Sequence, residues 1–499
     1  MFFIGQQIYI SFLFLHIFKM MDTLNDFLTE ISGIMWGYPM ILLLMGTHLL
    51  LTIRLRLPQR HILKAIRLSL SKDKDSTGEV SQFGALATAL AATIGTGNIV
   101  GVGTAIALGG PGAVFWCWIT GVLGIATKYG EGLLAVKYRI NSNGRMLGGP
   151  MYAIENGLAN HSKGIMRWFW KVMAIAFAFF TAFATFGIGS TVQANAIATM
   201  SYEVCGVSPV VVGGIVTILA AAVIMGGVKS IAKCCQTLVP LMAGLYILGC
   251  ITILCFNHSF LWPALKWIVV SAFEPSAAGG GFIGASIMLT ARYGIARGLF
   301  SNESGLGSAP IIAATAQTKN PVRQALVSST GTFWDTVVIC AITGITIVSS
   351  ILAYTDINVS DGGELTQMAF SKIPYIGKPL LAFGSLTFAF STILGWGLYG
   401  ERGIEFLADK WIRNKKGDAG FTPEYFEVKL RKVTNAYRIV FLISVYLGAV
   451  VSLDLVWNLA DIFNALMAIP NLLCLVFLSN VIVEETRKYL WSNNLNKEE

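Results

Sequence analysis

ATIGTGNIVG, residues 92–101, and GLFSNESGLGSAP, residues 298–310, interrupt two otherwise apolar, membrane-length runs with glycine, hydroxyl and amide residues. In lipid an unpaired backbone N–H or C=O costs several kcal/mol, so unwound chain at membrane depth is tolerated only inside protein or along a cavity. Two such breaks in corresponding halves of one chain point to a substrate site built from discontinuous helices.

The composition agrees with a membrane setting. Of 499 residues 55% are hydrophobic and 13% charged, with a mean hydropathy of +0.65, whereas a soluble globular chain carries about 25% charged residues. The eight cysteines lie mostly in apolar segments without a CxxC pair or a zinc-like Cys/His spacing, and read as buried free thiols. His16, His48, His61, His161 and His258 are scattered, so neither a metal cluster nor a hydrolase triad is visible. No HExxH, GxSxG or paired-aspartate constellation supports an enzyme, and no ring-forming filter motif supports a channel. The GTGNIVG string fails as a dinucleotide loop, because its third glycine comes one residue late and no strand precedes it.

Hydropathy predicts an all-α protein of eleven transmembrane helices, near 33–53, 83–108, 112–136, 171–199, 207–227, 234–256, 280–316, 325–351, 379–400, 436–451 and 456–483. Alternating the loops places 29 Lys and Arg on one side and four, Lys19, Lys266, Lys372 and Lys378, on the other. Lys128, Arg292 and Arg297 fall within helices. By the positive-inside rule the N-terminus is outside and the C-terminus cytoplasmic, in a multi-pass cell-membrane protein. The net charge of +9 is then a topology signal with some contact to anionic lipid headgroups, and no nucleic-acid partner is implied. Residues 1–26 form a leader that lacks signal-peptide features, and we expect the natural start at Met20 or Met21. Residues 27–499 form one transporter domain, with a cytoplasmic tail over 484–499 and a polar excursion of amphipathic helical character over about 401–435.

Setting helix one aside leaves two sets of five, a first repeat at about 83–256 and a second at about 280–483, each opened by a glycine break. Five is odd, so the sets are inverted relative to each other, as in many secondary transporters.

Candidate site residues follow from polarity at membrane depth. The first break offers Thr93, Gly95, Thr96, Gly97 and Asn98, whose released N–H groups can bind a carboxylate and whose released carbonyls can bind a hard cation, the alternative being a small-residue packing face. The second offers Ser301, Asn302, Ser304, Gly305 and Ser308 together with Glu303, which either pairs with Arg297 and caps loose N–H groups or coordinates an ion. Asp335 is read as a buried partner for Lys128 or Arg292, or else a proton relay. Ser391 and Thr392 are candidate oxygen ligands, or bond their own helix carbonyls; Trp396 shares a face with Thr392 and closes one side of a small pocket. Gln193 and Asn195 are the amides of helix four, serving as interhelical glue or as ligand-orienting groups.

GGPGAVFWCW at 109–118, ATIGTGNIVG, RGLFSNESGLGSAP at 297–310 and GWGLYGER at 395–402 resemble the signatures of the alanine/glycine:cation symporter family, over essentially all of residues 27 to 485. Cys117 stands where that family usually has Met, a soft apolar exchange. The resemblance implies a leucine-transporter-type fold with one extra N-terminal helix, and sodium-coupled uptake of alanine or glycine without any cofactor. It further implies that Thr93 to Asn98 meet the substrate carboxylate, that Gln193 and the backbone from Phe300 and Ser301 to Gly305 hold the amino acid, and that Trp396 bounds its side chain. Sodium, the coupling ion, would sit between Ser391, Thr392 and the backbone near Thr93 and Thr96. A proton-coupled carrier using Asp335 or Glu303 is the alternative.

Overall fold

The computed structural model describes residues 23–71, 73, 76–274, 286–416, 423–451 and 454–498. Eleven helical segments appear among them at the expected places in the chain. They are α1 (Thr23–Arg54), α2 (Gln82–Thr93 and Gly97–Gly109), α3 (Gly112–Lys137), α4 (Gly164–Cys205), α5 (Pro209–Ile224), α6 (Gly227–Phe256), α7 (Ile287–Asn302 and Ala309–Ala313), α8 (Pro321–Ala353), α9 (Gly377–Lys416), α10 (Pro423–Val450) and α11 (Asp454–Phe477). Seven of the described helices are individually long and apolar enough to cross a membrane, or eight when bent α2 is one span. The others are α3, which carries Lys128 and Glu131, the 16-residue α5, and broken α7.

Boundaries differ from the hydropathy reading where a helix continues into water. The first span begins at Thr23 instead of 33, inside the proposed leader, whose residues 1–22 lie outside those described. The ninth runs on to Lys416, because the polar stretch after 400 keeps good helix formers and finds ionic partners, so the expected excursion is a helical extension into 416 and a restart at Pro423.

Side chains sort as a bilayer solvent demands. Leu42, Ile218, Leu248 and Ile443 point outward, while polar groups such as Asn98, Gln193, Asp335 and Thr392 are buried within the protein. Two packing groups result. The spans α2, α3, α7 and α8 contact one another, and α4, α5, α9 and α10 form a second set, with α11 against α4 and α6 against α9 and the first half of α2. Where α9 crosses α2, Gly395 permits the approach: a Cβ there would lie 2.6 Å from that of Ala92. Of the cysteines, Cys117, Cys235, Cys250, Cys340 and Cys474 are buried, but Cys205 and Cys255 are exposed and Cys234 partly so, since their helix faces turn outward; all eight are free.

The basic face is tied by ion pairs. A hairpin of β1 (Ile140–Ser142) and β2 (Arg145–Leu147) brings Arg145 onto Glu405. Arg402, buried in α9, bonds Glu405 at 2.8 Å and Glu79 at 3.4 Å. Arg438 grips Glu401 through both Nε and Nη2 at 2.7 Å. Removing one partner of such a network strands buried charge. Arg402→Met is expected to destabilise the protein by about 3–5 kcal/mol, read as a lower unfolding midpoint in detergent, whereas exposed Arg431→Ala should change it by less than about 0.5 kcal/mol.

Candidate functional site

Both breaks are held open by side chains. In α2 the helix ends at Thr93, Ile94 turns extended (φ −77°, ψ 98°), and the second half restarts with a π turn at Gly97–Gly101, bending the span by 56°. Asn98 stabilises the turn: its Oδ1 accepts the Gly95 N–H at 3.0 Å and its Nδ2 donates to Asp335 Oδ1 at 2.7 Å. In α7 the first half ends at Asn302, Glu303 adopts a left-handed φ of 53°, and Ala309 restarts the helix with Pro310 in its first turn.

Asp335 joins the two. Its carboxylate accepts Ser301 Oγ at 2.9 Å, Thr336 Oγ1 at 2.7 Å and Asn98 Nδ2. The expected ion pair with Lys128 or Arg292 does not form among the described residues: these hydroxyl and amide donors occupy the carboxylate, while Arg292 lies over the rings of Tyr38 and Tyr293 at 5.9 and 6.0 Å. Nor does Glu303 pair with Arg297. Its carboxylate takes the Ser308 hydroxyl, because the left-handed turn swings it inward, and Arg297 interacts across a cavity with Asp461.

Between the breaks lies an enclosed chamber of about 30 Å³. The first break contributes Thr93, Gly95, Thr96 and Gly97, and the second Phe300, Ser301 and Glu303. From α4 come Ile188 and Gln193, from α9 Thr392 and Trp396, and from α11 Asn464. Three polar atoms of these buried residues, Gln193 Oε1, Trp396 Nε1 and Asn464 Oδ1, have no hydrogen-bond partner in the protein. Buried polar groups are normally paired, so the chamber offers an acceptor-and-donor lining suited to a small polar solute. Gln193 is fixed by its Nε2, which bonds the Ile188 carbonyl at 3.1 Å, released by the π turn at Thr185–Thr191.

A cluster of neutral oxygens adjoins it. Ser391 Oγ and Thr392 Oγ1 lie 3.2 and 3.1 Å from the carbonyl oxygen of Ala91, and 2.9 and 3.0 Å from that of Phe388. Hydroxyls and carbonyls at the C-terminal end of a half-helix suit a hard cation, and the helix dipole adds favourable field. The carbonyl that both hydroxyls reach is Ala91, two positions before Thr93, whose own hydroxyl bonds Ala89 and Leu90. Gly95 links cluster and chamber: a Cβ there would sit 2.9 Å from Thr392 Oγ1 and 3.8 Å from Gln193 Oε1.

Gly305 lies away from the chamber. Its N–H donates to Glu131 at 3.0 Å and its carbonyl accepts Asn471 Nδ2 at 2.9 Å, because φ of 93° turns the second break back toward α3. Asn195 faces a cavity of about 340 Å³ beside the chamber, which also touches Thr104, Arg297, Trp457 and Asp461. Phe300 lines this cavity, the chamber and a further one of about 230 Å³. Asp461, Asn464 and Glu131 escaped the sequence reading. For Asp461 and Glu131 the signal was available, since each is an ionisable residue in an apolar span, the criterion that singled out Glu303.

The profile of the family described as "Sodium:alanine symporter family" matches residues 21–499. The "Sodium/alanine symporter AgcS" of Methanococcus maripaludis is 46% identical over 96% of this chain and 98% of its own. Two solved structures share the fold at 14% identity. One, a Na+-coupled sialic acid symporter in a substrate-bound outward-open state, has a TM-score of 0.51 over 83% of this chain and 82% of its own. The other, MhsT in complex with L-phenylalanine, has a TM-score of 0.52 over 84% and 95%. The fold is therefore the leucine-transporter type, and the matched family and relative are transporters, not enzymes. With a family match over residues 21–499 and a relative 46% identical over nearly its whole length, the chain belongs to the sodium:alanine symporter family.

Proposed function

We propose that the protein couples inward sodium movement to uptake of small neutral amino acids, alanine and glycine among them, by alternating access. The observation that carries this reading is the contact of a neutral oxygen cluster with a small polar chamber through Gly95. A zwitterion brings both signs into a low-dielectric site, and half-helix ends with an oxygen-bound cation offset its desolvation without fixed carboxylates. The first-turn N–H groups of the second half of α2, at Thr96 and Gly97, receive the carboxylate. Gln193 and Asn464 present acceptors to the ammonium, and Trp396 and Phe300 bound the side chain. Sodium takes Ser391, Thr392 and the Ala91 and Phe388 carbonyls.

With the basic loops cytoplasmic, the cavity beside Phe300 opens outward and the Arg402 network closes the inner side. Phe300 is then the barrier a substrate passes. Rocking of the α2, α3, α7 and α8 group against the rest exposes the chamber alternately, in a cell membrane. A carrier driven only through Asp335 is disfavoured by its bonds to Asn98, Ser301 and Thr336.

Labelled alanine should accumulate in proteoliposomes under an inward sodium gradient, be competed by glycine, and fail to accumulate when choline replaces sodium; accumulation that ignores sodium overturns the reading. Thr392→Ala is expected to raise the half-saturating sodium concentration at least about tenfold while Gln193→Ala mainly weakens alanine binding, each a loss of about 1.4 kcal/mol or more. The reverse pattern would exchange their roles. Trp396→Ala should admit larger neutral amino acids and reduce the preference for alanine over them by about 10–200-fold per methylene, measured by competition.

A further inference from the structure

Beneath the second break lies a buried set of charges, one of which, Glu303, reaches the chamber. Lys128 and Glu131 are three residues apart on α3 and share a face. Both are buried, as is Glu303 across from them, and all three are within electrostatic reach of one another. The Lys128 ammonium has no hydrogen-bond partner in the protein, although it is 3% exposed. Glu131 is anchored by N–H donors, from Gly305 at 3.0 Å and from Asn471 at 2.7 Å. Glu303 receives the Ser308 hydroxyl and lines the chamber.

Charge counting makes this more than a structural cluster. Asp335 is held by three donors, Glu131 by two and Glu303 by one hydroxyl, with the single ammonium of Lys128 among them. Uncompensated charge at membrane depth is costly, so the low-energy state of the trio carries one added proton. Glu131, with two N–H donors, is better compensated for burial than Glu303 with its one hydroxyl. Glu303, with a hydroxyl partner and a face on the chamber, is the group with access to exchange.

We propose that Lys128, Glu131 and Glu303 form a proton-binding site, and that binding of sodium and amino acid in the chamber releases the proton from Glu303. In the release step the O–H bond of Glu303 breaks, the electron pair stays on the carboxylate, and the proton passes to water in the chamber. The charge left on Glu303 faces the incoming cation and the substrate ammonium, so proton and ligands compete. The other charged or titratable groups facing the trio are His48 of α1, whose Nδ1 bonds Thr127 at 2.7 Å, Asp335 of α8 and Tyr399 of α9; α11 contributes the uncharged Asn471.

This inference rests on reading the chamber as the amino-acid site, and the two can fail separately. Purified protein in weakly buffered detergent, with a pH indicator, should release up to about one proton per molecule on addition of sodium and alanine. In proteoliposomes the half-saturating alanine concentration should rise toward acid pH by up to about tenfold per unit. Glu303→Gln should flatten that dependence and abolish proton release, and Glu303→Asp should restore both. Lys128→Gln, which removes the opposing positive charge, should move the profile toward alkaline pH, a shift that a purely structural lysine would not produce; this variant serves if Glu303→Gln does not fold. His48→Gln should leave the profile in place. A flat wild-type profile without proton release overturns the proposal, as does a profile that Lys128→Gln fails to move or that His48→Gln abolishes. Proton release without uptake at any pH would instead overturn the transport reading alone.

Discussion

The carboxylate of Asp335 is the point at which two broken helices become one site. Asn98 from the first break and Ser301 from the second both donate to it, and the same Asn98 caps the Gly95 N–H with its other end. Unwound backbone in a bilayer must find partners within the protein, and here a single buried side chain serves both openings. Everything nearby is placed relative to that junction: the chamber between the breaks, the Ala91 carbonyl at the end of the first half-helix, and Glu303 where the second half-helix stops.

Around it, the molecule separates its polar groups by task. Ion pairs of Arg402, Arg438 and Arg145 close the basic face, with Glu401, Arg402 and Glu405 buried and Arg145 reaching water. At membrane depth the polar groups are mostly hydroxyls and amides bonded to helix carbonyls, as with Gln193 on Ile188 and Thr392 on Phe388. Such contacts are individually modest in membranes, and their value here is positional. They hold acceptors and donors toward a chamber that apolar packing alone could not orient.

Much of this was legible because lipid imposes simple rules. Eleven spans follow from hydropathy, and the breaks at Gly95 and Glu303 stand out because glycine and hydroxyl residues are expensive there without a purpose. Gln193, Thr392 and Trp396 surface for the same reason, as polar atoms in apolar helices, and all three line the chamber. Chain order does not show direction, however. Gly305 reads as part of the substrate loop but turns toward Glu131, since one left-handed residue reverses the path. The Ala91 carbonyl carries no side-chain signal at all. Proximity in sequence offers Arg297 as one of several partners for Glu303, whereas the carboxylate that acts on Arg297, Asp461, comes from a helix more than 150 positions away.

A side chain at Gly95 would point at both the Thr392 hydroxyl and the Gln193 side-chain carbonyl, so the proposed ion and solute sites share this one position. Binding linkage is reciprocal: whatever factor the ion contributes to the affinity for the solute, the solute returns to the ion. A cell that maintains a sodium gradient is drained by any carrier that lets the ion cross alone. On the proposed assignment, the thrift of the transport cycle rests on a residue with no side chain, because any Cβ at Gly95 would intrude between ion and solute.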